Sequence, residues 1–221
     1  MSLAALKRPF GIKSLLGILL SGFPIIDFFS MGYKLACCRT AMEGNYSLPA
    51  WNGWKDLFVH GAAARVLQFI YALPALVTLY FLWSAGKNPI SVLITNVGAV
   101  RNFFILFLVF LFLAVFLSPA AILNYLTEGR IKDAFSVLML KRAVTFDYLK
   151  SWLIVLVYVS LVLILFFILI YYIGAVNFAG MSYIVLTLLF VFLFILGVTV
   201  WTLFGEYWGR VLAKESRVLT E

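Results

Sequence analysis

The sequence predicts an all-α fold, a polytopic membrane helix bundle, on three grounds. First, 65% of the 221 residues are hydrophobic and 12% are charged, whereas soluble domains run at about 45–50% apolar and about 25% charged. Second, the mean hydropathy is +1.08. Third, residues 103–126, 152–176 and 181–204 each supply the roughly 20 mostly apolar residues that a membrane-crossing helix needs. A further run over residues 59–83 reads as a span from Val66 onward. We therefore expect four full transmembrane helices plus a broken or re-entrant first segment, the alternative being that this segment is a fifth span. Cytoplasmic interfacial helices complete the bundle, and residues 1–221 form one integral-membrane domain.

Residues 1–13, "MSLAALKRPFGIK", place positive charge ahead of an apolar run, as a signal peptide does. An A-x-A-like cleavage site is missing, so the segment is expected to be retained. Residues 14–41 are the first membrane segment, interrupted by Gly17, Gly22, Pro24 and Asp27. A charge near mid-membrane costs at least about 2.5–3.5 kcal/mol on insertion scales. Gly and Pro permit a broken path where protein covers the exposed backbone. Cys37 and Cys38 are adjacent and make no ordinary disulfide framework; they read as small helix residues.

Residues 48–58, "LPAWNGWKDLF", read as an interfacial helix start. Tryptophan favours the headgroup level, and Trp51 and Trp54, three apart, share a face if the stretch is helical. Leu57 and Phe58 extend that face, Asn52 suits a cap, and Asp56 suits a first turn. The same stretch also fits a docking surface for a partner or a lipid headgroup. The span over 59–84 carries Pro74 as a kink. After the span over 102–127, Gly129 suits the C′ position. Residues 130–142 place Ile131, Ala134, Phe135 and Leu138 at helical spacing, the pattern of an amphipathic interfacial helix. Thr145 and Asp147 suit the start of the span over 146–176. Residues 181–212 are the last span and its cytoplasmic end.

The net charge is +8, and the cations sit at the ends of apolar runs, where they orient helices. Arg130, Lys132, Lys141, Arg142 and Lys150 precede the fourth long run, whereas "GAVNFAG" after it carries no charge. The positive-inside rule places the five-charge loop and the C-terminus in the cytoplasm, and tracing back places the Trp-rich loop there too. A spanning first segment leaves Lys7, Arg8 and Lys13 outside, against the rule. That conflict vanishes if the segment dips in and returns. A faint echo links Glu43-Gly44 before "WNGWKDLF" with Glu128-Gly129 before "RIKDAF". No basic stripe is interleaved with exposed aromatics, so nucleic acid is not an expected partner.

Chemistry is sparse. One histidine, His60, two adjacent cysteines and scattered carboxylates do not make a metal set. Phosphate-loop, dinucleotide-fingerprint and Ser-His-Asp patterns are missing. No cofactor and no enzymatic activity are expected. Trp51, Trp54, Asp56, Phe58 and Phe135 are candidate partner or interface residues. Asp27, Arg65, Gln68, Asn124 and Glu206 are polar at membrane depth and hence functional candidates. Asp27 and Arg65 are a candidate intramembrane pair, and Glu206 can reach Arg210 at i+4. The expected role is a non-catalytic accessory or scaffolding subunit in the cell membrane. Its expected partners are membrane lipids and a membrane protein or a second copy of the chain. The alternative is a transporter or channel for a small or lipidic solute, built on the broken first segment.

Several blocks bear on family. Gly32-Tyr33 ends the first apolar segment, and Leu48, Pro49, Trp51, Trp54, Asp56, Leu57 and Gly61 follow as a Leu-Pro-x-Trp-x-x-Trp-x-Asp-Leu block with a later Gly. Pro119, Ala120, Glu128, Gly129, Ala134 and Phe135 form a second block. Over about residues 8–212 the chain resembles a prokaryotic, largely archaeal integral-membrane family known as domain of unknown function 4013. The stretch "SAGKNPISVLITNVGAVRN" is shorter and less apolar than its counterpart in some relatives. The resemblance implies a membrane bundle and brings no activity.

Overall fold

The structure, a computed structural model, describes residues 7–10, 13–21, 27–84, 98–174 and 181–218, and the regular elements among them are all helical. A 3-10 turn at Arg8–Phe10 precedes α1 (Lys13–Ser21) and α2 (Asp27–Met42). Next come α3 (Trp54–Ser84) and α4 (Gly98–Glu128), a 3-10 turn at Ile131–Phe135, α5 (Val137–Ala143), α6 (Phe146–Gly174) and α7 (Met181–Val218). Trp54–Trp83, Arg101–Glu128, Phe146–Ile168 and Leu188–Ser216 are long and apolar enough to cross a membrane. The chain is a multi-pass membrane protein of the expected all-α class. It divides into two compact units, Met1–Ala63 with Lys141–Glu221, and Ala64–Leu140.

In the first unit the first apolar segment is two helices of 9 and 16 residues, each shorter than a span requires. Gly22 and Pro24 lie outside the described residues. The segment turns back on itself. Arg8 bonds to Cys37 and Ser47, Lys13 bonds to Leu48, and Ile18 packs against the cluster of Tyr33, Cys37, Phe194 and Val198. Along α7 the partners of the opening segment descend, Thr202 for Arg8 and Phe194 for Gly17, whereas those of α2 ascend, Gly197 for Lys34, Gly205 for Cys38 and Gly209 for Met42, so the two stretches run in opposite directions. Lys7, Arg8 and Lys13 thereby share an end with the Trp-rich loop, which removes the charge conflict a spanning segment creates.

Glycines set how closely α2 is held. A Cβ on Gly32 would stand 1.9 Å from Leu57 O, and one on Gly61 would stand 1.8 Å from Phe28 O. The backbones of α2 and the first turns of α3 therefore touch at two reciprocal points. On the α7 side, Cβ atoms on Gly205 and Gly209 would lie 2.3 Å from Cys38 O and 2.5 Å from Met42 O. Gly205-x-x-x-Gly209 is the small-residue spacing that lets membrane helices approach backbone to backbone. The core at this crossing is Tyr33, Cys37, Phe194 and Val198. At the far end of α7, Arg142 grips Glu215 with Nε at 3.1 Å and Nη2 at 2.7 Å. Lys214 pairs with Asp147 beside it.

In the second unit, Ala120, Ala121, Ile122, Leu123 and Asn124 of α4 are fully buried and pack on the Ile131–Phe135 turn. Asn124 Nδ2 donates to Asp133 O at 2.8 Å, and Tyr71 Oη donates to Ala134 O at 2.8 Å. Gly129 ends α4 at φ +79° with its N–H on Tyr125 O, the expected C′ role. Gly44 also has a left-handed φ after α2, but its N–H goes to Ala41 O and that of Asn45 to Thr40 O, so the two Glu-Gly exits share the glycine conformation and differ in their hydrogen bonds.

Three local expectations are corrected. The amphipathic stretch 130–142 is not one helix. It breaks at Ser136, whose hydroxyl accepts the Met139 N–H at 3.1 Å and starts α5. Trp51 does not share a helical face with Trp54, because α3 begins at Trp54. Asn52 is not the cap. Gly53, at φ +66°, accepts the Leu57 N–H on its carbonyl, and an L side chain there is strained. Thr145, by contrast, opens α6 as expected, with Leu149 N–H on its carbonyl and Tyr148 N–H on its hydroxyl.

Candidate functional site

The sequence candidates of the Trp-rich loop converge on α2. Trp51 lies flat on Tyr33, with ring centroids 4.0 Å apart and planes 2° apart. Its indole N–H donates to Lys13 O at 2.7 Å, and Tyr33 Oη donates to Pro49 O at 3.2 Å. Trp51 thus fastens the loop to α1 and α2 together. Trp54 sits 5.7 Å from Trp51 and 5.5 Å edge-on to Phe29. Phe58 contacts Phe28 at 5.5 Å and Phe29 at 5.2 Å. Trp54 and Asp56 are exposed, whereas Trp51 and Phe58 are half-buried. Phe135 belongs to the second unit, exposed but stacked on Tyr71 at 5.5 Å.

The structure leaves the Asp27–Arg65 pairing as an expectation of the sequence. Asp27 opens α2 in the first unit. Arg65 lies in the second unit and donates to Gln68 Oε1 at 3.0 Å. Glu206 pairs with Arg210 at 2.6 Å.

Sequence reasoning treated Arg8 only as a charge that orients the chain. It is 4% exposed. Nη1 donates to Cys37 O at 2.7 Å and to Thr202 Oγ1 at 3.5 Å. Nη2 donates to Ser47 O at 2.7 Å and to Thr40 Oγ1. Nε is buried with no hydrogen-bond partner. Among the described residues every bonding partner of this guanidinium is a neutral oxygen. Two of them belong to the last turns of α2, where the helix dipole favours a cation. Lys34 is a second buried cation, 5.5 Å over the Phe194 ring. The only sequence signal for these two was a lysine inside "GYKLACC" and an arginine just before a proline.

Among the described residues no group of three His, Cys, Asp or Glu side chains can hold a metal. One arginine and one indole tie the N-terminal arm, the fold-back segment, the loop and α7 into a single body.

A family model described as "Protein of unknown function (DUF4013)" matches residues 15–175. That range contains the glycine and tryptophan contacts of α2 with the loop and α3. Neither a curated protein nor a solved structure matches the chain.

Proposed function

The chain belongs to the DUF4013 family of proteins of unknown function, and from that premise we propose that it is a non-catalytic accessory or scaffolding subunit of a membrane complex. Its place is the cell membrane, with the C-terminus, the Trp-rich loop and the Arg130–Lys150 loop in the cytoplasm. The observation that carries this reading is the uneven burial of its spans. Inside the protein only 22%, 22% and 17% of the most apolar windows of the first three spans are buried, against 44% for the last. In the bilayer, lipid or the helices of another protein cover what remains. The acidic groups Asp133, Asp147, Glu206 and Glu215 are engaged in ion pairs, which supports a structural rather than a catalytic use. A transporter built on the fold-back segment is the second reading, favoured by the buried cations Arg8 and Lys34.

Gentle native purification with mass spectrometry of co-purifying chains tests the proposal. A stoichiometric partner or a defined homo-oligomer is expected. A monodisperse single chain that takes up labelled solute into liposomes overturns it in favour of transport. Sidedness is tested separately by single-cysteine labelling in intact cells. The native Cys37 and Cys38 are buried, so background is low. Asn45 and Ser136 are expected to be shielded and Asn177, in the uncharged sequence "GAVNFAG", labelled; labelling of Ser136 from outside reverses the orientation.

A further inference from the structure

We propose that the corner where α5 meets α6 is a binding surface for an anionic phospholipid; this rests on the multi-pass membrane reading above. The corner presents Val144 and Phe146 at 71% and 79% exposure, and Leu149 and Leu153 continue that exposed face down α6. Phe146, Leu149, Lys150 and Leu153 follow the i, i+3, i+4, i+7 spacing of one helical face. Val144 and Phe146 are bracketed by Lys141 and Lys150, both exposed.

Two observations identify the occupant. The first is charge. The acids of this corner are already taken, Glu215 by Arg142 and Asp147 by Lys214. Among the described residues Lys141 and Lys150 pair with no acid, so the corner carries uncompensated positive charge beside bare apolar surface. That combination matches an anionic headgroup above acyl chains. The second is depth. α6 has 29 residues, about 43 Å at 1.5 Å per residue, against a hydrocarbon core of about 30 Å. Its first turn or so therefore projects beyond the hydrocarbon, which puts Phe146 and Lys150 at headgroup level. The two ion pairs with α7 hold the corner still, so the lysines are presented without an ordering cost to the backbone.

The test uses the full chain in bilayers of phosphatidylcholine mixed with phosphatidylglycerol, one lipid brominated at a time. Quenching of tryptophan fluorescence, with Trp152 two residues from Lys150, gives the relative association of the two lipids. The wild-type protein is expected to prefer phosphatidylglycerol. Lys141→Gln with Lys150→Gln is expected to weaken that preference about fivefold per lysine removed. Lys55→Gln, an exposed lysine in the first turn of α3, is expected to keep it. Retention of the preference by the double variant overturns the proposal, as does an equal loss in Lys55→Gln, which makes the effect one of net charge. A wild-type protein that enters neither bilayer overturns the membrane reading itself, a different failure from entering both without preference.

Discussion

α6 and α7 are neighbours in the first unit, both apolar and both long, yet they are built for different surroundings. α7 meets α2 through Gly205 and Gly209, at distances that leave no room for a methyl group. α6 turns Leu153, Leu156, Val157, Leu161, Ile164 and Leu165 outward. Their most apolar windows differ accordingly, 44% buried against 17%. Hydropathy is nearly blind to this difference, because lipid tails are as apolar as a leucine-lined core. What separates the two is glycine at the points of contact: α7 meets α2 at Gly197, Gly205 and Gly209. On α7 glycines bring the backbones together and bulky residues such as Phe194 and Trp208 fill the space beside them, whereas the leucines of α6 face outward.

The largest effects that sharpen this contrast are expected at the reciprocal glycines. Gly61→Ala and Gly32→Ala each drive a methyl group into a backbone carbonyl, and overpacking of that kind costs about 3 kcal/mol. Thermal unfolding in detergent reads the loss, and a value near zero at either position removes the close approach from the account. Next is Arg8→Gln. It keeps a polar side chain but loses the fork that reaches Cys37, Thr40, Ser47 and Thr202, with an expected cost of about 2 kcal/mol. Maleimide labelling of Cys37 and Cys38 under native conditions is expected to rise with it, since both thiols are fully buried in the wild-type protein. Unchanged labelling means the arm does not hold α2 in place. Trp51→Phe retains an aromatic face for Tyr33 but loses the bond to Lys13 O, worth about 1 kcal/mol, whereas Trp54→Phe is expected to be close to neutral. Equal effects at the two tryptophans mean that both serve only as interface anchors. The smallest effect is Leu156→Ala on α6, under about 0.5 kcal/mol, as for a substitution away from any packed contact. A loss comparable with Gly61→Ala there reveals a partner helix on that face.

The four spans were legible in the sequence because each is a continuous apolar run that needs no tertiary partner to be recognised. So were the Gly129 stop and the Thr145 start, which depend on chemistry within four residues. The break at Ser136 was not legible. Its cause is the Asn124 amide on Asp133 O, made by a side chain on the preceding helix, and helical spacing over eight residues fits a 3-10 turn plus a short helix equally well. Trp51 was read as an anchor because its indole suits a headgroup layer. Its partner Tyr33, 18 residues earlier, is set by the fold-back of α1 and α2, which no local pattern encodes. Arg8 was hidden most completely, since its burial needs α2, the loop and α7 at once. The fold-back itself was half legible, through Gly22, Pro24 and the charge conflict at the N-terminus.

The bond between Arg8 and Thr202 spans 194 positions of the chain, and that separation has a consequence for biosynthesis. α1 and α2 are made well before α7, which carries the glycine face that receives α2. Before that, the opening segment can dock only on the loop and the first turns of α3, and its buried cation has only part of its oxygen shell until α7 arrives. The amino-terminal third must therefore wait, unfinished, at the insertion machinery or at the membrane surface, and the arrival of α7 acts as the closing event of assembly. A nascent chain that ends before α7 is then incomplete at both ends of its sequence, which gives a cell's quality control an early residue by which to judge a late one.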